Sequence, residues 1–410
     1  MPRKLPPPLH SPARPAAPHL AGLLSLGFLV GTINGLMRVA MPLYAASIGA
    51  QSWQVGVIGG MGYAGLLLLA LPMGAWIEHH GSRQLFVRGV LVAAVLYLAL
   101  PWVRVPWQLM LAAWLLGLLL PFRTVPAQTE FLALVPQLSA SKAGWNRAAN
   151  TVGMFFVGPA TSAAVIAAFG FAPVFYLTTA GLALAGAVAW RVLGVGVQAH
   201  SPAAAQPARP SMRQRMGEQL AMLQRHADVR RTMAIDLLNQ MAVAYFVVFG
   251  LILAVRHFGL SLQQAAGLVT MQGAFFVATL FAGGSALARL GEGARYLLAF
   301  TLLLLQSALY GLADHPAALW LGAAAMGVGV GVQSLTSVNR FAELMQHYGR
   351  GLVGGLTSLG PPAGGVLGAM LGGLVSQRLG VEAGFRLLAA AYGLLALAQL
   401  WQLRAARPNA

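Results

Sequence analysis

The sequence predicts an all-α membrane protein: twelve transmembrane helices in two pseudo-symmetric six-helix halves, with both the N and C termini cytoplasmic. Hydrophobic residues make up 58% of the 410-residue chain and charged residues 9%, which leaves too little polar surface to face water. The apolar residues gather into twelve runs, each near the ~20 residues that an α-helix needs to cross a bilayer. A shift of 210 positions lays the first part of the chain over the second, and a repeat of this kind is how many carriers are built.

In order, the expected spans cover residues 20–45, 55–77, 85–103, 107–130, 146–170, 173–193, 233–255, 263–287, 295–313, 317–340, 352–377 and 384–403. The segment before them is proline-rich with no apolar core, so it reads as a disordered tail and not as a signal peptide, and the first span serves as its own insertion signal. One long connection follows span six; it begins Ala/Pro-rich and turns basic through Arg209, Arg213, Arg215, Arg225, Arg230 and Arg231. The chain therefore divides into a cytoplasmic tail (1–18), an N-terminal half (19–194), a cytoplasmic linker (195–231), a C-terminal half (232–404) and a second tail (405–410). Within the linker, Met212, Met216, Leu220 and Leu223 stripe one face of a helix suited to lying on the membrane.

A formal charge of +17 raises the question of nucleic acid. Of the 26 Lys and Arg, however, 20 fall in segments on the side of the termini, four (Arg104, Arg256, Arg378, Arg386) on the other, and two, Arg38 and Arg123, inside spans. That asymmetry is the positive-inside pattern, and it accounts for the charge without a polyanionic partner. No nucleic-acid partner is expected. The chain has no Cys, which excludes disulfides, thiolate metal sites and cysteine nucleophiles. Arg outnumbers Lys 24 to 2 and no Asn-x-Ser/Thr acceptor occurs, so a GC-rich bacterial source and the inner membrane are expected.

The repeat pairs Gly49 with Gly259, Met61 with Met271, Gly74 with Gly284, Gly81 with Gly291, Pro106 with Pro316, Gly117 with Gly327 and Phe131 with Phe341. After a length change, Gly153-x4-Gly158-Pro159 matches Gly355-x4-Gly360-Pro361, which makes spans five and eleven a pair. Between spans two and three, Gly74, Glu78, Gly81 and Arg83 read as a short surface loop, with Glu78 ahead of the next helix N-terminus. With Pro42-Leu43-Tyr44, Gly49 and Val55-Gly56 before it, this order of residues resembles the major facilitator superfamily, most closely its twelve-helix drug and metabolite exporters.

The resemblance implies the major facilitator fold and a gating role for the Gly74–Arg83 loop, as a latch that pairs with span eleven when the carrier faces outward. The chain carries Glu78 where the family usually has Asp, and Ala288 in place of the acid in the second copy. Gly158-Pro159 resembles the kinked, Gly-rich motif of the family's antiporters, although Met154 and Ser162-Ala163 replace three of its glycines and the fuller form, Gly360-Pro361-Pro362-Ala363-Gly364-Gly365, lies in span eleven. Small residues there let helices approach, and proline frees a carbonyl and bends the helix.

Polar residues inside spans are costly and are functional candidates. In span one, Asn34, Met37, Arg38 and Met41 share a face; Arg38 either enters a central cavity or snorkels to the headgroups. In span four, Arg123 and Glu130 share a face with Pro126 between them, and the resemblance links such an Arg to proton transfer, although the Gln-Gly that follows it in the family is missing. Span seven offers Asp236, Asn239 and Gln240, with Asp236 expected in the first turn beside Arg230 and Arg231. Gln272 in span eight and Gln333, Ser337 and Arg340 in span ten complete the candidate cavity. Met37 and Met41 suit an adaptable pocket better than a soft-metal path, and no metal site is expected. All nine His fall in loops or at span ends, which argues against haem or an imidazole relay in the membrane.

These readings lead to a non-enzymatic secondary transporter, acting as a monomer in the bilayer on a small-molecule substrate. The task expected is export of a drug-like compound or a secreted metabolite such as a siderophore, by proton antiport, with no cofactor beyond the proton gradient. Asp236 and Glu130 are the acids available for coupling, and Arg38 and Arg123 favour an anionic substrate. Proton-coupled import and a non-transporting sensor are the alternatives. A membrane-embedded enzyme would need a cluster of His, Asp and Glu, and the only dense one, Glu78-His79-His80, belongs to the loop.

Overall fold

A computed structural model describes residues 16–134, 145–194, 212–348 and 350–405. With no water to satisfy backbone groups inside a bilayer, apolar runs of this length must close their hydrogen bonds as helices. Twelve helices among the described residues are long and apolar enough to cross: span one, Ala16–Ser47; two, Ser52–His80; three, Ser82–Ala99; four, Pro106–Leu134; five, Trp145–Phe169; six, Phe171–Val192; seven, Ala227–Arg256; eight, Leu262–Ala288; nine, Glu292–Leu312; ten, Ala317–Tyr348; eleven, Arg350–Leu379; and twelve, Val381–Ala405. An even number of crossings returns the chain to the face where it starts, called here the terminal face; the opposite one is the far face. The tails at 1–15 and 406–410 and the linker at 195–211 lie outside the described residues.

The packing follows the repeat. Span one lies on five as seven lies on eleven, two on four as eight on ten, and three on six as nine on twelve. The halves meet where two packs on eleven, five on eight, and one on seven. Leu91, Val95, Leu184 and Leu394 remain exposed on the outside of the bundle, as lipid-facing residues must. Trp102 and Trp107 near the far face, with Trp190 and Trp401 near the terminal face, are exposed at the depths where aromatic rings anchor to headgroups.

The structure revises three expectations. Residues 74–80 are not a loop: span two stays helical to His80, and the turn is the single residue Gly81, whose φ of +77° suits only glycine. Nothing before Gly81 breaks the helix, so it continues past its apolar part, and Glu78 sits in the last turns of span two instead of ahead of span three. The linker contains a helix, Met212–Arg225, and span seven starts at Ala227, so the expected border at 232 falls inside a helix. That linker helix buries Met222 against Phe341, Leu344, Val353 and Leu356 of the second half, while Leu220 is left exposed. It docks on the ends of spans ten and eleven because these supply an apolar patch for its Met222 and Leu223 face.

Candidate functional site

Span one carries the first polar residues of the site, and its seat on span five is set by glycine. A Cβ on Gly158 would stand 2.6 Å from both Gly35 Cα and Thr32 O, and one on Gly35 would stand 2.9 Å from Pro159 Cδ. No side chain fits between these helices. Gly153, the other glycine of the motif, lies equally close to the span-one backbone, 2.5 Å from Phe28 O. Between them, Gly153–Val157 winds as a π-helical turn, and a matching turn, Phe246–Gly250, interrupts span seven. Such turns carry an extra residue per helical repeat and re-aim side chains.

Both turns border a cavity of about 360 Å³ that lies mainly within the first half. Spans one to five supply its walls, span three through Tyr97 alone, and Val247 and Val248 from the span-seven turn close it from the second half. Asn34, Met37, Arg38 and Arg123 all line it, so the structure brings together the candidates from spans one and four. Arg38 points into the protein, with its guanidinium carbon 4.8 Å above the ring of Phe155, and does not snorkel outward. Arg123, 7% exposed, donates from Nη2 to Asn34 Oδ1 at 2.9 Å. The Nε atoms of both arginines are buried without a protein partner.

Glu130 is seven residues on from Arg123 but serves a different place. It is 3% exposed, near the terminal-face end of span four, and its Oε1 accepts the N–H of Gly194 at 3.2 Å. Beside it, Arg83 donates from Nε to Leu193 O at 2.7 Å and lies 5.6 Å from the Trp190 ring. Glu130 and Arg83 thus clasp the end of span six to spans three and four. Gly74 and Gly81 have nothing within 4 Å of a would-be side chain, and both are exposed. The Glu78 side chain lies outside the described residues.

The second-half candidates do not line the cavity. Asn239, Gln272 and Gln333 are 1%, 2% and 0% exposed within their own half, and each leaves its amide oxygen without a protein partner. Gln333 Nε2 donates to Ile235 O at 3.1 Å and so ties span ten to span seven. Gln240 packs against Gly364 of span eleven. Asp236 stands in the third turn of span seven, because the helix starts earlier than expected, and has no hydrogen-bond or ion-pair partner among the described residues. Arg230 and Arg231 are engaged elsewhere: the first with Leu223 O and Gln224 O, the second with Gln399 and Gln402. The carboxylate faces Gly360 instead, where a Cβ would stand 3.1 Å from Oδ2. Gly360, with Gly364 and Gly368 on the following turns, therefore seats span eleven on span seven much as Gly153 and Gly158 seat span five on span one.

The two ends of the molecule differ. At the far face Gly56 meets Gly373 (2.8 Å from a would-be Cβ to Cα), Ser52 N–H donates to Gln377 Oε1 at 3.0 Å, and Arg256 Nη2 donates to Ala46 O at 2.6 Å. These contacts join the halves. Nearer the terminal face, Gly365 of span eleven meets the Tyr63 ring of span two. The cavity is thus sealed from the far face. Sequence reasoning missed Tyr63, Tyr97 and Met154 in the cavity wall and Phe155 beneath Arg38. Apolar and aromatic residues carry no cost signal inside a span, and a π-helical turn leaves no mark in the hydropathy pattern.

Comparison with known proteins bears on this architecture. A search of curated protein sequences finds no significant match. Among solved structures, the nucleoside transporter NupG superposes with a TM-score of 0.74 at 14% identity, covering 94% of this chain and 99% of that one. A bacterial homolog of the human lysosomal transporter Spinster, inward-facing and unoccupied, superposes with a TM-score of 0.69 at 14% identity, over 94% and 98% of the two chains. At such identity the likeness is one of fold. The sequence itself matches the model of the Major Facilitator Superfamily over residues 23–305. With twelve spans, two halves related by the repeat and a cavity closed at the far face by contacts between the halves, the chain belongs to the Major Facilitator Superfamily of membrane transporters.

Proposed function

We propose that this transporter exports a small organic molecule from a bacterial cytoplasm across the inner membrane, by proton antiport. The observation that carries the reading is the cavity lined by Asn34, Arg38 and Arg123, shut at the far face by the Gly56, Ser52 and Arg256 contacts. The excess of Arg and Lys on the terminal face supports a cytoplasmic position for that face, and a cavity shut at the far face then suits loading from the cytoplasm. Rocking the halves would part spans two and eleven and bring Gly74–Arg83 of the first half against span eleven.

Asp236 is the coupling group. It is a carboxylate inside a span without a partner among the described residues, set against Gly360, where span eleven packs on span seven. Protonation removes its charge at that seat and shifts the balance between the carrier's conformations. Glu130 fits the clasp on span six better than a proton relay. The Gly153-x4-Gly158-Pro159 seat supports export, since the antiporter motif it resembles is one that the family's importers tend to lack. A monomer suffices, because one chain carries both halves.

The test is direction of transport. A deletion strain and its complemented parent are loaded with dyes, antibiotics and secreted metabolites, and inside-out vesicles are assayed in parallel. Retention of a compound by the deletion strain, with vesicle uptake that collapses with the proton gradient, supports export. Failure of the deletion strain to acquire a nutrient reverses the direction to import. Movement of no compound in reconstituted vesicles points to a sensor.

A further inference from the structure

The cavity holds two positive charges and no negative one. Arg38 and Arg123 line it, no Asp or Glu does, and neither Arg has an ion-pair partner among the described residues. Asn34 and Arg38 are one helical turn apart, about 6 Å of rise. Arg123 reaches Asn34 at 2.9 Å, one turn from Arg38, so both arginines meet the cavity beside the same stretch of span one. Each keeps its Nε buried and unpartnered, and Arg123 as a whole is only 7% exposed. A buried cation without a counter-charge is costly. A planar guanidinium offers a fork of N–H donors that matches a carboxylate in two-point contact. Around this wall the lining is apolar and polarisable: Met37, Met41, Met154, Leu120, Tyr63 and Tyr97. About 360 Å³ lies near the lower end of the ~300–1,000 Å³ usual for small-molecule sites.

We infer that the solute is a compact amphipathic organic anion whose carboxylate is held jointly by Arg38 and Arg123, with Asn34 fixing the second, and whose apolar or aromatic body lies on the methionine and tyrosine wall. The inference names the substrate class of the cavity proposed above and rests on that reading. Size disfavours a large siderophore, and charge disfavours a cationic drug or a neutral solute. A lysine at either position would keep the charge but lose the fork, so each Arg is a specificity residue and not simply a source of positive potential.

The experiment is calorimetric binding to the purified full chain in detergent, with three probes of one shape: 2-naphthoate, 2-naphthamide and 2-naphthylmethylammonium. Naphthoate is expected to bind about ten-fold or more tightly than the amide, and the ammonium most weakly. Arg38→Gln and Arg123→Gln are each expected to weaken naphthoate by about ten-fold and the amide by about two-fold, and the Lys variants to fall between. Retained amide binding shows that a variant is folded, and the Lys variants carry the test where a Gln variant is not. No naphthoate binding, equal binding of the three probes, or Gln variants that bind naphthoate like the parent would each overturn the assignment. Reconstituted vesicles separate the two claims: naphthoate bound through the arginines but never moved leaves the anion site standing and removes the transport reading. Movement of all three probes alike removes the anion site and leaves transport.

Discussion

Gly158→Ala tests how the site-bearing helix is held. In an ordinary helix interior this change stabilises by about 1 kcal/mol, because alanine is the better helix former. Here the added Cβ would stand 2.6 Å from Gly35 Cα and Thr32 O, against the ~3.5–4.0 Å at which non-bonded carbons rest. Both neighbours are backbone atoms, so neither can turn aside, and spans one and five must separate by roughly 1 Å. Overpacking of this kind costs about 1–3 kcal/mol, and rigid neighbours put it toward the upper end. The expected net result is a loss of about 1–2 kcal/mol, opposite in sign to the helix-propensity effect. The assay is thermal unfolding of purified protein followed by tryptophan fluorescence, with Gly217→Ala beside it. Gly217 lies in the linker helix with nothing within 4 Å, so there propensity acts alone and the midpoint should rise. Because Arg38 lies three residues beyond Gly35, Gly158→Ala should also weaken 2-naphthoate binding. A Gly158→Ala protein as stable as Gly217→Ala, with unaltered binding, would refute the close-packing argument.

Further expectations concern the charged groups and the seal. Asp236→Asn should keep solute exchange between equal compartments but lose transport driven by a pH gradient; survival of the gradient-driven component in vesicles removes Asp236 from coupling. Glu130→Gln retains an oxygen for the Gly194 N–H and should leave the unfolding midpoint nearly unchanged. Glu130→Ala removes that bond at a cost of about 0.5–1.5 kcal/mol, and equal midpoints for the two variants would contradict the clasp. Gln377→Ala removes the acceptor from Ser52 N–H, a bond worth about 0.5–1.5 kcal/mol, and so should raise far-face labelling of a cysteine at Val55, which is buried one turn in from that bond, by about two- to ten-fold. No rise in labelling speaks against that bond as part of the seal.

Hydropathy made the twelve spans legible, since only helices satisfy the backbone in a bilayer, but it misplaced their ends where a helix runs beyond its apolar part. Span two continues through Pro72, Gly74 and Glu78 to His80 and turns only at Gly81, whose φ is +77°, and span ten runs to Tyr348 with no glycine or proline after Gly331. The repeat made spans five and eleven a pair, and the structure gives their glycines matching work against spans one and seven. Polar cost inside a span identified Arg38, Arg123 and Asn34, which share a wall. The same rule also flagged Asn239, Gln272 and Gln333, which are buried away from the cavity, because cost does not say which side of a helix faces a cavity and which a neighbour. Sequence alone had no means to find Phe155 under Arg38: that contact depends on a π-helical turn.

The account rests on two halves that rock about one cavity, and the absence of native cysteine makes that motion directly measurable. Spin labels at Gln51 and Arg378 would report the far face, and a second pair at His80 and Gln346 the terminal face, in double electron–electron resonance on protein in nanodiscs. All four positions are exposed. With solute and a change of pH, the far-face distance should lengthen as the terminal-face distance shortens. Two distances that stay fixed, or that change in the same direction, would contradict alternating access in this chain.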